Sequence, residues 1–323
     1  MKLITKIFKN NKFLYYFNGF FSLLFPKFIY RKRLSNILLS IPSEKLEYIL
    51  KRVNYYNKIK SNTQLNKKSP KLSYLKIKKK GKTYFFDTYS STKYFDQSLR
   101  ANFLFGDINY VPNQISFVKS RPINLNNQNS IILKLNKVRH FLFVNDIYPI
   151  HKKKNILFGR AAVQQKQRIE FYKKYFDNEI CDLGQINKGT DHDHWYKKKA
   201  SIDQHLKYKF ILCIEGNDVA SNLKWVMSSN SVAVMPKPKF ESWFMEDMLI
   251  PDYHYIQIRD DYSDLEKKLK FYIKNPEKLK LISINANNYV NQFKNSNDEK
   301  IISLLVLEKF FNSTNQKKSL INF

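Results

Sequence analysis

The sequence predicts an α/β protein whose C-terminal half is doubly wound on a parallel sheet. Three observations point there. From residue 155 onward, short apolar runs alternate with helical patterns at close spacing. The runs are bounded by turn residues rather than long polar linkers. Glycine is scarce, seven in 323 residues, and Gly159 and Gly216 each follow a strand-like run and precede a helix.

Taken in order, residues 1–60 read as a basic helical segment. Phe13 to Phe25 is apolar and aromatic, with Lys2, Lys6, Lys9 and Lys12 before it and Lys27, Arg31, Lys32 and Arg33 after it. Thirteen residues are too few to span a bilayer. A short aromatic run with basic flanks suits the headgroup boundary of an anionic leaflet; a core-packing helix with solvated lysines is the alternative. Pro42-Ser43 opens a helix running to about Lys58, with Leu46, Ile49, Leu50 and Val53 on one face. Lys58 to Lys80 is polar and lysine-rich, a loop or hairpin region. Residues 83–150 mix β-like runs (Tyr84–Phe86, Ile131–Leu135, Phe141–Val144) with turns at Gly106-Asp107 and Asn124 to Asn129.

After His151–Lys154 the texture changes. Asn155–Phe158 is a buried strand and Gln164–Tyr175 a helix. Tyr208–Ile214 (YKFILCI) is the clearest strand, and Ser221–Met227 a helix. Val232–Met235 is a strand closed by Pro236 and Pro238. Ser242–Leu249 is a short helix and Tyr255–Ile258 a strand. Ser263–Asn275 is an amphipathic helix with Leu265, Leu269 and Tyr272 on one face.

Charge narrows the partner. Lys and Arg number 57 against 27 acids, a formal +30, and residues 1–80 hold 20 of the cations with only Glu44 and Glu47 opposing them. Nucleic acid fits poorly, because Lys outnumbers Arg and no recognition helix, zinc finger or aromatic RNA-binding signature is present. Cys181 and Cys213 are too few for a disulfide framework or a four-thiolate zinc site, and suit a cytosolic compartment. No Gly-x-Ser-x-Gly or His-Glu-x-x-His stretch supports a hydrolase.

The turns at Gly159 and Gly216 are the first candidate for chemistry. In open α/β sheets, anions bind at helix N-termini beyond the carboxyl ends of strands. Arg160, Arg168, Asn217, Ser221 and Lys224 surround these turns, which together could hold a pyrophosphate; tight turns alone are the alternative. Asp191 and Asp193, in Thr190-Asp191-His192-Asp193-His194-Trp195, form an Asp-x-Asp that could bind a metal or simply cap a polar loop. Asp146, ending the strand in Phe141–Pro149, could take a proton from an acceptor hydroxyl or cap an Asx turn. Lys119, Arg121, Arg139 and His140 add a cationic cluster in the N-terminal half.

The stretches RHFLFVND, LFGRAAVQQKQR, CDLGQIN, KYKFILCIEGNDVASNLKWVMSSNSVAVMPKP and ESWFMEDMLIPDYHYI resemble bacterial glycosyltransferase family 90 over about residues 100–290. That family includes lipopolysaccharide-core and capsule-associated transferases, with protein O-glucosyltransferase relatives. The resemblance implies a GT-B-like α/β fold, with two Rossmann-like domains facing a cleft. It also implies a nucleotide-sugar donor, most often a UDP-sugar, and inverting transfer without metal or cofactor. The implied division is a basic helical segment at 1–60, an acceptor-side domain at 61–152, a nucleotide-sugar domain at 153–300 and a C-terminal helix and tail at 301–323.

By motif, the donor would be held by Gly159, Arg160, Arg168 and the loop from Gly216 through Asn217, Asp218, Ala220, Ser221 and Lys224, with Glu241 on its hydroxyls. Ala161 stands where the family has Gly, and Asn222 where many relatives have a phosphate-binding Arg. Asp146 is the expected base, although Asn145–Pro149 departs from the family's Asn-x-Arg-Asp-x-Pro. Lys119, Arg121 and His140 would face the acceptor, a lipid-linked oligosaccharide at the cytoplasmic side of the inner membrane. The rivals are a non-catalytic membrane-surface or polyanion-binding protein on a degenerate glycosyltransferase fold, and a metal-dependent GT-A enzyme using Asp191 and Asp193.

Overall fold

In a computed structural model, residues 6–8, 12–77, 81–124 and 126–323 are described. Lys2 and Lys9 of the expected basic flank, residues 78–80 of the lysine-rich loop and Leu125 of the expected turn lie outside them. Helices of five residues or more are α1 (Lys12–Phe21), α2 (Lys27–Leu39), α3 (Ser43–Tyr56), α4 (Lys82–Thr92), α5 (Lys166–Tyr175), α6 (Leu223–Met227), α7 (Leu265–Lys274), α8 (Pro276–Asn291) and α9 (Ser296–Ser313). The chain divides into two compact units. One, the C-terminal unit, holds Arg139–Lys239 and Met245–Gln292 with the strand Lys6–Phe8; the other, the N-terminal unit, holds Asn10–Val138, Phe240–Phe244 and Phe293–Phe323. The sequence places the division at His151–Lys154; by contacts it falls at residue 139, and both units are discontinuous.

The C-terminal unit is built on five parallel strands: β1 (Lys154–Ala161), β2 (Cys181–Gln185), β3 (Tyr208–Leu212), β4 (Val232–Met235) and β5 (Ile256–Gln257). Their order is β5-β4-β3-β1-β2. The chain therefore winds one way from β1 to β2 and the other way from β3 to β5. Helix faces cover the sheet: Phe171, Tyr172 and Tyr175 of α5, Leu265, Leu269 and Tyr272 of α7 and Leu279 and Ile282 of α8 pack with Leu157, Leu183, Phe210 and Val234. Gly159 lies inside β1, not after it. A Cβ there would stand 3.1 Å from Leu183 and 3.2 Å from Leu212, so this glycine lets three strands pack closely. Strand β2 escapes the sequence reading because it is a short edge strand with Leu183 as its one large apolar residue.

The amino edge of this sheet carries a buried ion pair. Lys153, just before β1, donates to the Asp146 carboxylate at 2.6 Å, to the Ser231 hydroxyl at 2.9 Å and to the Leu206 carbonyl. Leu206 and Ser231 just precede β3 and β4, so one ammonium ties the starts of three strands. Asp146 also accepts from the peptide N–H groups of Tyr148 and Asn230, both at 2.9 Å, and its side chain is 1% exposed. Asp146, the expected base, is thus enclosed among three donors at the amino edge, separated from the carboxyl edge by the length of β3, about 16 Å at 3.3 Å per residue.

In the N-terminal unit, strands at 102–103, 116–118 and 130–132 form a small parallel sheet. Helix α3 packs on α9, with Arg52 of α3 donating to Glu299 of α9 at 2.6 Å in the interior. Residues 84–86, read as β-like, belong to α4. Phe85, Phe86 and Tyr89 bury one face against Tyr15 and Tyr16, and that packing overrides aromatic β preference. The helix expected at 242–249 is instead a strand, Phe240–Ser242, paired antiparallel with Ser120–Pro122, followed by a 3₁₀ turn at Glu246–Met248. Trp243 anchors that segment: its ring stacks on Tyr56 at 4.0 Å and its Nε1 donates to Glu299 at 2.7 Å.

Asp146→Asn leaves the buried Lys153 ammonium without its counter-charge. The expected result is a loss of about 3–5 kcal/mol in stability, read by urea denaturation, with turnover per folded molecule close to the parent's.

Candidate active site

The carboxyl edge of the sheet is where the order reverses, and β1 and β3 are neighbours across that reversal. Chains leaving such strands diverge and open a crevice for ligands. Arg168, in the first turn of α5, spans it. Its Nη1 donates to the Ala162 carbonyl at 2.9 Å, Nη2 to the Ile214 carbonyl at 3.0 Å and Nε to the Glu215 carbonyl at 3.1 Å. The corners after β1 and β3 thus meet on one guanidinium. Burial pulls its pKa down from the ordinary arginine value, with Arg139 adding to the effect and Tyr172 opposing it. Arginine stays charged through such a shift.

The second corner is compact. The Gly216 N–H donates to the Asp218 carbonyl at 2.9 Å, and a Cβ on Gly216 would stand 3.2 Å from Arg168 Nη2. A side chain here would crowd the guanidinium. Two amides that the sequence reading missed complete the junction. Gln167 Nε2 donates to the Gly216 carbonyl at 2.8 Å, and Gln165 Nε2 to Asn217 Oδ1 at 3.1 Å. Gln165 is also the N-cap of α5, and no side chain caps that terminus. Its first-turn N–H groups lie at the crevice with the positive end of the helix dipole.

The loop after β2 adjoins. Asn187 Oδ1 accepts from Val163 N–H at 2.8 Å, and Gln185 Nε2 donates to the Asn187 carbonyl at 2.9 Å. Among the described residues, Gln165 Oε1, Gln185 Oε1 and Asn187 Nδ2 are buried side-chain atoms without a hydrogen-bond partner. Buried polar atoms are nearly always paired. These three amide atoms near the ends of β1 and β2 keep hydrogen-bonding capacity that no described residue uses. Their only sequence signal lies within the QQKQR and CDLGQIN stretches.

Other expected donor residues lie elsewhere. Arg160 is the penultimate residue of β1, and its guanidinium turns back to Asp182: Nη2 donates to the carboxylate at 2.8 Å and Nη1 to the Asp182 and Gly159 carbonyls. Lys224 is 0% exposed and paired with Glu246 at 2.6 Å, a buried ion pair within the unit. Asp218 and Ala220 are buried, Asn217 is exposed and Ser221 is half-buried. Asn222 Nδ2 donates to the Leu212 carbonyl at 2.9 Å.

Glu241 belongs to the N-terminal unit. Its carboxylate accepts from Arg121 Nε at 2.7 Å and from the Tyr55 hydroxyl, and its side chain is 2% exposed, so it does not present itself to donor hydroxyls. Arg121, 0% exposed, gives its remaining N–H groups to the carbonyls of Tyr55, Tyr56 and Ser130. It is a buried strut rather than an acceptor contact. Lys119 is buried too, but it donates at 2.6 Å to Asp107, whose side chain is one-third exposed. His140 falls in the other unit and is buried. Asp107, read in the sequence only as part of a turn, is the carboxylate that Lys119 holds.

Asp193 accepts from the N–H groups of Gly189 and Thr190 and closes a turn, which depresses its carboxyl pKa. Among the described residues, no three His, Cys, Asp or Glu side chains gather as a metal site, and no helix is long and apolar enough to cross a membrane.

The model of glycosyl transferase family 90 matches residues 150–304. The O-glucosyltransferase LpsA of Dichelobacter nodosus is 38% identical over 270 residues, which cover 84% of this chain and 85% of that protein. The uncharacterized protein 179R of Invertebrate iridescent virus 6 is 33% identical over 91 residues, 26% of this chain and 8% of the viral protein. With a doubly wound C-terminal unit under the family match and a relative aligned over most of its length, this chain belongs to glycosyl transferase family 90 and is a glycosyltransferase.

Proposed function

We propose that the chain transfers a hexose, with inversion and without a metal, from a UDP-sugar to a lipopolysaccharide or capsular oligosaccharide. The observation that carries this reading is the sharing of Arg168 between the corners after β1 and β3. A guanidinium has five N–H donors, and three named bonds leave two for an anion. With the uncapped start of α5, it stabilises the charge that develops on a departing diphosphate. The unpartnered amide atoms of Gln165, Gln185 and Asn187 supply hydrogen bonds for the nucleoside. The name of the relative from Dichelobacter nodosus makes glucose the first sugar to test.

Inverting transfer is a single displacement. The acceptor oxygen bonds to the anomeric carbon, the bond from that carbon to the diphosphate oxygen breaks, and the hydroxyl proton passes to a carboxylate. Asp107 is our candidate for that base. Its Lys119 partner fixes its position, and its exposure leaves it reachable by an acceptor hydroxyl. We assign the donor to the C-terminal unit and the acceptor to the N-terminal one, a GT-B-like division of labour. A lipid-linked acceptor fits a peripheral location at the inner membrane, and the exposed aromatic side chains of α1 are the surface we assign to that contact.

In hydrogen–deuterium exchange, UDP is expected to protect residues 162–168 and 214–218; equal exchange with and without UDP would remove the diphosphate site. Arg168→Gln is expected to weaken UDP binding roughly 10–150-fold, from about 1.5–3 kcal/mol of charge-assisted hydrogen bonding, by calorimetry. Asp107→Asn is expected to lower kcat about 10²–10⁴-fold while UDP affinity stays unchanged. Turnover of a UDP-sugar in excess EDTA is expected to match the untreated rate, and its loss would favour the metal-dependent scheme.

A further inference from the structure

Helix α1 has two unlike faces. Tyr15 and Tyr16 turn inward onto Phe86 of α4, with ring centroids at 6.4 and 5.9 Å, and Phe20, half exposed, meets the same ring at 4.9 Å. Gly19 makes this contact possible, since a Cβ there would stand 2.6 Å from the Phe86 ring. The Tyr15 hydroxyl donates to the buried Asp87 carboxylate at 2.7 Å, and the Lys137 N–H donates to its other oxygen at 2.9 Å. The helix is therefore fixed to the body of the N-terminal unit. Its other face is exposed: Phe13, Phe17 and Phe21 stack on one another at 6.2 and 6.0 Å, and they are 74%, 55% and 49% exposed. Leu24, Phe25 and Phe28 continue the patch toward the exposed cations Arg31, Lys32 and Arg33 of α2.

Beside this patch, between α1 and α4, lies a cavity of about 440 Å³. Its polar lining comes from Asn18, Ser22, Ser90, Lys93 and Lys137, with Asp87 beneath. Lys137 donates to the Ser90 hydroxyl at 3.1 Å and lies 3.9 Å from Asp87, so it balances the one acid present. Lys93 has no such partner. Among the described residues its ammonium meets only aromatic faces, most closely Tyr30 at 4.0 Å. Burial, with Lys300 and Lys137 nearby, pulls its pKa down to about 8. A partly buried cation between two others, beside amide and hydroxyl donors, is built to receive an anion. The aromatic face one helix turn away indicates that this anion carries an apolar chain.

We infer that this cavity seats the phosphate headgroup of an anionic membrane lipid, held by Lys93 and Lys137, while Phe13, Phe17 and Phe21 enter the acyl boundary. The inference rests on the membrane contact assigned to α1 above and adds to it a stoichiometric lipid site. Surface lysines attract any anionic bilayer at about 1 kcal/mol each. A seat of this kind instead recognises one headgroup and fixes the orientation of the enzyme on the leaflet.

The test uses the full chain in two assays. In the first, it is sedimented with vesicles of phosphatidylcholine with and without phosphatidic acid. In the second, dihexanoyl phosphatidic acid below its micelle concentration is titrated calorimetrically, with inorganic phosphate in parallel. The parent is expected to sediment with the acidic vesicles and to bind the short-chain lipid at one site, at least tenfold more tightly than inorganic phosphate. Lys93→Gln/Lys137→Gln is expected to lose the short-chain lipid site, whereas Lys32→Gln/Arg33→Gln keeps it. Phe17→Ser/Phe21→Ser is expected to lose vesicle binding. Vesicle binding without a saturable lipid site, or a site unchanged in Lys93→Gln/Lys137→Gln, overturns the headgroup seat and leaves the membrane contact standing. Equal affinity for inorganic phosphate also overturns it. A parent that sediments with neither vesicle overturns both. Unchanged UDP-glucose turnover in every variant without vesicles shows that the fold is intact.

Discussion

Strands β1 and β3 lie side by side although β2 comes between them in sequence, so the chain leaves them toward opposite flanks of the sheet. The gap that this divergence opens must be held at a fixed width if two loops are to act on one ligand. Arg168 does that holding, because its planar fork reaches the carbonyls of Ala162, Ile214 and Glu215 at once. Everything else at the carboxyl edge is arranged around that junction. Gly216 is a glycine because the guanidinium lies against it, Gln165 and Gln167 bind the facing loop, and α5 begins where its dipole meets the gap.

Buried ion pairs explain much of what the rest of this strongly cationic chain does with its few acids. Asp146, Glu241, Glu246 and Glu299 each meet a buried lysine or arginine in the interior. Such pairs add little net stability over well-packed apolar groups, but breaking one strands a charge, so they fix which segments may pack together. Lys153 with Asp146 ties the starts of β1, β3 and β4, and Arg121 with Glu241 registers the strand at 240–242 against that at 120–122. A cationic transferase thereby keeps its sheet ends in place with the same residue types that catalysis would use.

The surface of α1 shows the reverse economy. A run of aromatic residues that would ordinarily be buried packs mainly through one side, and the exposed side lies near the aromatic-flanked Lys93. Exposed apolar area of this kind is costly in water and marks a contact surface.

The sequence by itself determined the strand–helix alternation of the C-terminal half and the positions of β1, β3, β4 and β5. Short apolar runs between turn residues report on burial, and burial is what a parallel sheet imposes. It also determined the family, through stretches such as YKFILCIEGN, and the glycine at the second corner. Only the tertiary structure decided which charges are available to a ligand. Arg160, Arg168 and Lys224 look alike in a motif, yet Arg160 turns to Asp182, Lys224 is enclosed with Glu246 and Arg168 alone joins the two corners. Asp146 and Asp107 both stand beside turn signals, and their exposure separates them. Whether a charged side chain faces a ligand or an internal partner depends on residues far away in the chain, and no local spacing records that.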